Sequence, residues 1–205
     1  MGLYVHSLSR LPLGLERDYY VYVLDYGWDE PLGDALHANF RRMADLAAKN
    51  KAVVLAGTDS RSFAQEILSI HFDDEQFSWS NVNGENGEDV LPAILITTIH
   101  PQRFEIQLQR RRTVDHRKGI ADENLVLIPL RGVCANSTEV VTLIERIFRD
   151  IAAGKCLSDF SVAKEIKAGG RGAFSDALIL RPSIWGMGID LKELLVKTWR
   201  GQKSK

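Results

Sequence analysis

The stretch YYVYVLDYGWDEPLGDAL, residues 19–36, decides how this chain is read. Its first half, YYVYVLDY (19–26), is aromatic and β-branched, the composition of a strand. GWDEPLG then turns the chain. From Asp34 to Lys49 the apolar residues Leu36, Phe40, Met43 and Ala47 recur at spacings of four, three and four, which is one face of a helix. Arg41, Arg42, Asp45 and Lys49 lie largely off that face. Pro31 suits a first helical turn, where its missing N–H costs nothing. Asp29 or Glu30 puts negative charge where the helix dipole favours it.

Further strands and helices follow on the C-terminal side. KAVVLAGT (51–58) predicts a buried strand, and TDSRSFAQEILSI (58–70) a helix with Phe63, Ile67 and Ile70 on its apolar side. Residues 73–90 are polar, with Asn83-Gly84 and Asn86-Gly87 as turn signals, and predict a long loop. LPAILITTI (91–99) is the strongest strand signal, and RFEIQLQ (103–109) alternates as the half-exposed return arm of a hairpin would. After a charged loop over 110–124, LVLIPL (125–130) predicts another strand. Ser137 is placed to cap a helix running to about Ala153, with Val140, Ile144, Ile147 and Ile151 on one face. Glu145 and Arg149 are spaced for an i,i+4 pair, and Gly154 ends the helix. A shorter helix is expected over 158–167, a glycine-rich break at KAGGRGAF (167–174), and an edge strand at ALILRP (177–182). Asp190 caps a last amphipathic helix with Glu193 three residues on.

Composition sets the bounds. The 205 residues suit one domain, or one domain with an appended segment, and 45% hydrophobic with 26% charged residues is ordinary for a globular chain. A net charge of -1 supplies no global field toward nucleic acid or an anionic membrane. Cys134 and Cys156 are too far apart for a CxxC motif, and no His/Cys cluster has zinc spacing, so no metal is expected. Both cysteines read as buried free thiols in a reducing compartment. His6, Arg10, Glu16 and Arg17 break any apolar leader, and no apolar run reaches the ~20 residues of a membrane span. The expected location is the cytoplasm, with no membrane association.

Strand, helix, strand, helix, strand, strand, helix is an α/β order, with a central sheet and helices on both faces. It resembles the thioredoxin fold, in which a strand is followed by Trp-Cys-Gly-Pro-Cys and a long helix. Trp28 and Pro31 match that pattern, while Asp29 and Leu32 stand where the two cysteines would be. Pro92, before AILIT, stands where thioredoxins carry a cis-proline facing the redox motif. The resemblance covers residues 19–153, between an N-terminal lead-in (1–18) and a C-terminal helical extension (154–205). It implies a thioredoxin-like mixed sheet without the chemistry, because exchange needs a thiolate and neither Asp29 nor Leu32 supplies one. What remains is a redox-inactive adaptor, a subunit of a protein complex without cofactor or catalytic residues. Its partner-binding face would hold Trp28, Asp29, Glu30, Pro31 and Pro92. Trp185, Leu191, Leu195 and Trp199 on the last helix would offer a second docking element.

The alternative is an enzyme or binding protein for a phosphate-bearing ligand, whether nucleotide or nucleic acid. Arg110, Arg111, Arg112, Arg117 and Lys118 would grip the phosphates. That loop lacks the interleaved aromatics that stack bases, so nucleic acid is the less favoured partner. KAGGRGAF does not fit a phosphate-binding P-loop. Asp89 with Glu105-Ile106-Gln107 only shadows a metal-dependent nuclease, with Gln in place of Lys. No GxSxG elbow and no paired-histidine metal motif is present.

Overall fold

The computed structural model describes residues 1–11, 14–27, 29–71, 91–101, 125–167 and 178–180. Six strands form one sheet: β1 (Gly2–Val5), β2 (Tyr19–Leu24), β3 (Ala52–Gly57), β4 (Ala93–Thr97), β5 (Leu125–Pro129) and β6 (Leu178–Leu180). Their spatial order is β1-β3-β2-β4-β5-β6. The first three are parallel to one another, and β4, β5 and β6 each pair antiparallel with the preceding strand in that order. The fold is therefore α/β with a mixed sheet. Every residue of β2, β3, β4 and β5 is buried, which is why these strands read as unbroken apolar runs rather than alternating ones.

The two-residue period of a strand sorts these side chains into two cores. On one face Val21, Val23, Val54, Ile94, Ile96 and Val126 meet helices α1 (Pro31–Ala38), α2 (Phe40–Lys49) and α5 (Ser137–Ala152). On the other, Tyr20, Tyr22, Leu55 and Leu95 meet Phe63 and Ile67 of α3 (Ser60–His71), together with Leu8, Leu11 and Leu15 from the N-terminal segment. Each fully buried Leu, Ile, Val or Phe contributes about 2 kcal/mol relative to exposure. Gly57 lets α3 follow β3 at once: a Cβ there would stand 2.3 Å from Phe63 Cβ and 2.6 Å from the Asp59 carbonyl oxygen.

Several expectations need correction. The helix of residues 34–49 is two helices, broken at Asn39 (φ -92°, ψ 2°), although Leu36, Phe40, Met43 and Ala47 all lie in the core as its spacing requires. The hairpin partner of β4 is not 103–109. Both hydrogen-bonding edges of Ala93–Thr97 are taken, by β2 and by β5, and residues 103–109 lie outside the described set. The lead-in contributes a strand, β1, and a short 3-10 turn (Leu8–Arg10).

Helix α5 is capped by Asn136, not Ser137. The Glu139 N–H donates to Asn136 Oδ1 at 3.1 Å, and the Glu139 carboxylate accepts from the Ala135 N–H at 2.8 Å. Glu145 pairs with Arg42 of α2 at 2.5 Å rather than with Arg149. Gly154 (φ +63°) ends this helix as expected.

Beyond α5, a 3-10 turn (Leu157–Asp159) and helix α6 (Ser161–Lys167) pack into the same core as α1 and α2 through Leu157, Phe160 and Val162. Asp150, buried on α5, holds them. It accepts from Lys155 Nζ at 2.5 Å, and from the N–H and Oγ of Ser161 at 2.6 and 2.8 Å. Burial pushes the Asp150 carboxyl up, but these donors outweigh it and hold the group below the ordinary aspartate range. Tyr19 on β2 adds a hydroxyl donated to the Lys155 carbonyl at 2.7 Å. Among the described residues no helix is long and apolar enough to cross a membrane.

Candidate functional site

The site is built where β2, β4 and β5 meet the start of α1. Leu24 pairs with Ala93, so Asp25 and Pro92, one residue further on each strand, stand at the same end of the sheet. The Leu91–Pro92 bond is cis, and the Pro92 carbonyl accepts from the Leu130 N–H at 2.8 Å. Leu130 opens a single helical turn, α4 (Leu130–Val133), directly after β5. The next residue, Arg131, donates from Nε and Nη2 to the two Glu30 carboxylate oxygens at 3.0 and 2.6 Å. Glu30 is the N-cap residue of α1, though its side chain makes no capping bond, and Pro31 takes the first helical position. Ser137 Oγ donates to the Pro31 carbonyl at 3.1 Å. A planar guanidinium held by both carboxylate oxygens fixes direction as well as distance. The start of α1 is thereby tied to the ends of β4 and β5.

Of the residues nominated from sequence, Glu30 and Pro31 are brought close to Pro92 through this chain of contacts. Asp29 and Pro31 are exposed, Glu30 is partly exposed and Pro92 is buried, so the surface here belongs to the start of α1. Leu32 is a core residue. Trp28, the arginine-rich loop (Arg110–Arg112, Arg117, Lys118) and the tail carrying Trp185, Leu191, Leu195 and Trp199 lie outside the described residues.

Sequence reasoning missed two members. Arg131 is separated from Glu30 by a hundred residues of chain, and nothing local announces the pair. Asp25 carried a usable signal: an acid at the end of an apolar strand. It is 5% exposed. His37 Nε2 lies 3.0 Å from Asp25 Oδ2, and the Tyr26 N–H donates to Oδ1 at 2.7 Å. An ionised carboxylate only accepts, so the Nε2 nitrogen carries the proton. Burial pushes the Asp25 carboxyl up. The His37 hydrogen bond and charge, with the N–H groups of Tyr26 and Gly27, outweigh it and hold Asp25 below the ordinary aspartate value. Gly33 leaves room for this carboxylate, since a Cβ there would lie 3.2 Å from Oδ2.

An Asp–His pair orients an imidazole, and nucleophilic catalysis would add a hydroxyl or thiol within hydrogen-bond reach. Among the described residues no such group bonds to His37. The pair instead pins the last turn of α1 to the end of β2, as Glu30–Arg131 pins the first. Of the two cysteines, Cys134 is buried as expected and Cys156, against expectation, is exposed. Both are free, and burial, with Glu139 nearby, pushes Cys134 up to about 11, so it stays a protonated thiol at neutral pH. Among the described residues no group of three or more His, Cys, Asp or Glu side chains is placed to hold a metal ion. No family model, curated protein or solved structure matches the chain.

Proposed function

We propose that this protein is a thioredoxin-like binding subunit that acts through protein contacts instead of thiol chemistry. Its contact surface is the exposed start of α1 around Asp29 and Pro31. The observation that carries the reading is the Glu30–Arg131 pair together with the Leu130–Pro92 hydrogen bond. They hold the first turn of α1 rigidly against the turn at Pro92, where the resemblance places the two halves of a binding face. The element order from β2 through α5 supports it, as do the acid and the aliphatic residue at positions 29 and 32. A rigid platform lowers the ordering cost of binding, so geometry can be retained for recognition where chemistry has gone.

The test is affinity purification from the native host with wild type, Asp29→Arg and Pro31→Ala compared by quantitative mass spectrometry. A specific partner should be recovered with wild type and depleted by Asp29→Arg, while the variant keeps its circular dichroism spectrum. A partner set unchanged by both substitutions would remove the surface from consideration. Accelerated reduction of insulin disulfides by the purified protein would refute the redox-inactive assignment itself.

A further inference from the structure

We propose that the outer edge of β1 is a homodimer interface, pairing antiparallel with β1 of a second copy about a two-fold axis at Leu3. The backbone fixes this register. The Met1 carbonyl accepts from the Val54 N–H at 2.8 Å and the Val5 carbonyl from the Thr58 N–H at 3.0 Å. Odd-numbered residues of this segment therefore direct N–H and C=O at β3, and Gly2 and Tyr4 direct theirs outward. Among the described residues no hydrogen bond occupies those outward groups, and β1 ends the sheet. The strand GLYV also lacks what edges normally use against pairing: a Lys, an inward charge or a Pro.

The side chains choose the occupant. A two-fold axis at Leu3 sets Gly2 opposite Tyr4 of the second copy and Tyr4 opposite its Gly2, so each pair exchanges two backbone hydrogen bonds. Tyr4 is 55% exposed, and its ring lies 4.4 Å from that of Phe40. In the pair each Tyr4 comes opposite the glycine of the other copy, over which that copy's own Ala44 and Phe40 lie, so the Tyr4–Phe40 ring pairs of the two copies are brought side by side.

Helix α2 adds charge. Gly2 lies against Ala44 and Phe40, and Tyr4 against Phe40, so α2 runs opposite to β1. The two-fold axis then sets the turn carrying exposed Arg41 opposite the turn carrying exposed Asp45 of the second copy, twice over. This reciprocal match of backbone, ring and charge is self-complementary, as an isologous interface must be. It singles out a second copy of this chain over an unrelated strand.

Sedimentation velocity on the full-length chain over a concentration series tests this. The mass should rise from 23.0 kDa to twice that value. Tyr4→Pro removes one outward donor per chain, half of the donors in the two pairs that exchange bonds. It spares the bonds to β3, and an edge position accepts Pro. Dimerisation should weaken roughly 30-fold. Should Tyr4→Pro fail to fold, Arg41→Asp, a surface change, decides the matter. It should weaken the dimer, and adding Asp45→Arg should restore it. A chain that stays at 23.0 kDa at every concentration overturns the proposal. So does a dimer that Arg41→Asp leaves undiminished, which would assign the edge to another occupant or the dimer to another face.

Discussion

Replacing Asp25 tests the account of how α1 is held. Asp25→Ala removes a buried carboxylate and leaves the Tyr26 N–H and the His37 ring without their acceptor. Breaking a buried ion pair from one side costs about 3–5 kcal/mol. Here the side chain of His37 is 32% exposed and can turn to water, which brings the cost below that range, to about 2–3 kcal/mol. For a chain of this size that corresponds to a fall in Tm of roughly 5–10 °C. Urea unfolding of wild type, Asp25→Ala, His37→Ala and the double variant should show a coupling energy of about 1–2 kcal/mol.

The pH dependence has a definite sign. Asp25 sits below its ordinary value in the folded protein. Its contribution is therefore fully present above the unfolded value of about 3.9, and is lost as the pH falls through the folded value. Asp25→Asn has no carboxylate to protonate at this position, so its stability gap from wild type should shrink as the pH falls below about 4. Coupling below about 0.3 kcal/mol, or a gap that widens in acid, would refute the reasoning.

Two further predictions need only the purified protein. Gly57→Ala places a Cβ 2.3 Å from Phe63 Cβ, and should cost about 3 kcal/mol in urea unfolding, whereas exposed Gly14, with nothing within 4 Å, should accept alanine with little change. Under native conditions an aromatic disulfide reagent should titrate one thiol, the exposed Cys156, with Cys134 released only on unfolding; two fast thiols would contradict its burial.

Strands β3, β4 and β5 were legible because they lie inside the sheet, where burial on both faces demands apolar residues at every position. β1 was not, because GLYV is four residues long and opens with glycine. Its identity comes from the ladder with Val54–Gly57, not from its own pattern. The partner of β4 was misjudged for a related reason. RFEIQLQ is adjacent in sequence and alternates well, yet LVLIP, further along, supplies the buried neighbour. The break at Asn39 left no mark, since apolar spacing runs through it unchanged. At the site, the start of α1 could be read from Pro31 and its flanking acids, all local features. Glu30–Arg131 and Asp25–His37 depend on distant elements converging, and only the fold brings those together.

The grip of Asp150 on Lys155 and Ser161 bears on where this protein can be shortened. A chain stopped at residue 153 would retain the five longest elements of the sheet and the helices beside them. It would nevertheless strand an anion inside apolar packing and remove the ring of Phe160 from behind Tyr19. The smallest piece able to fold independently must reach past Ala163, and trimming experiments should find a sharp threshold there instead of a gradual decline.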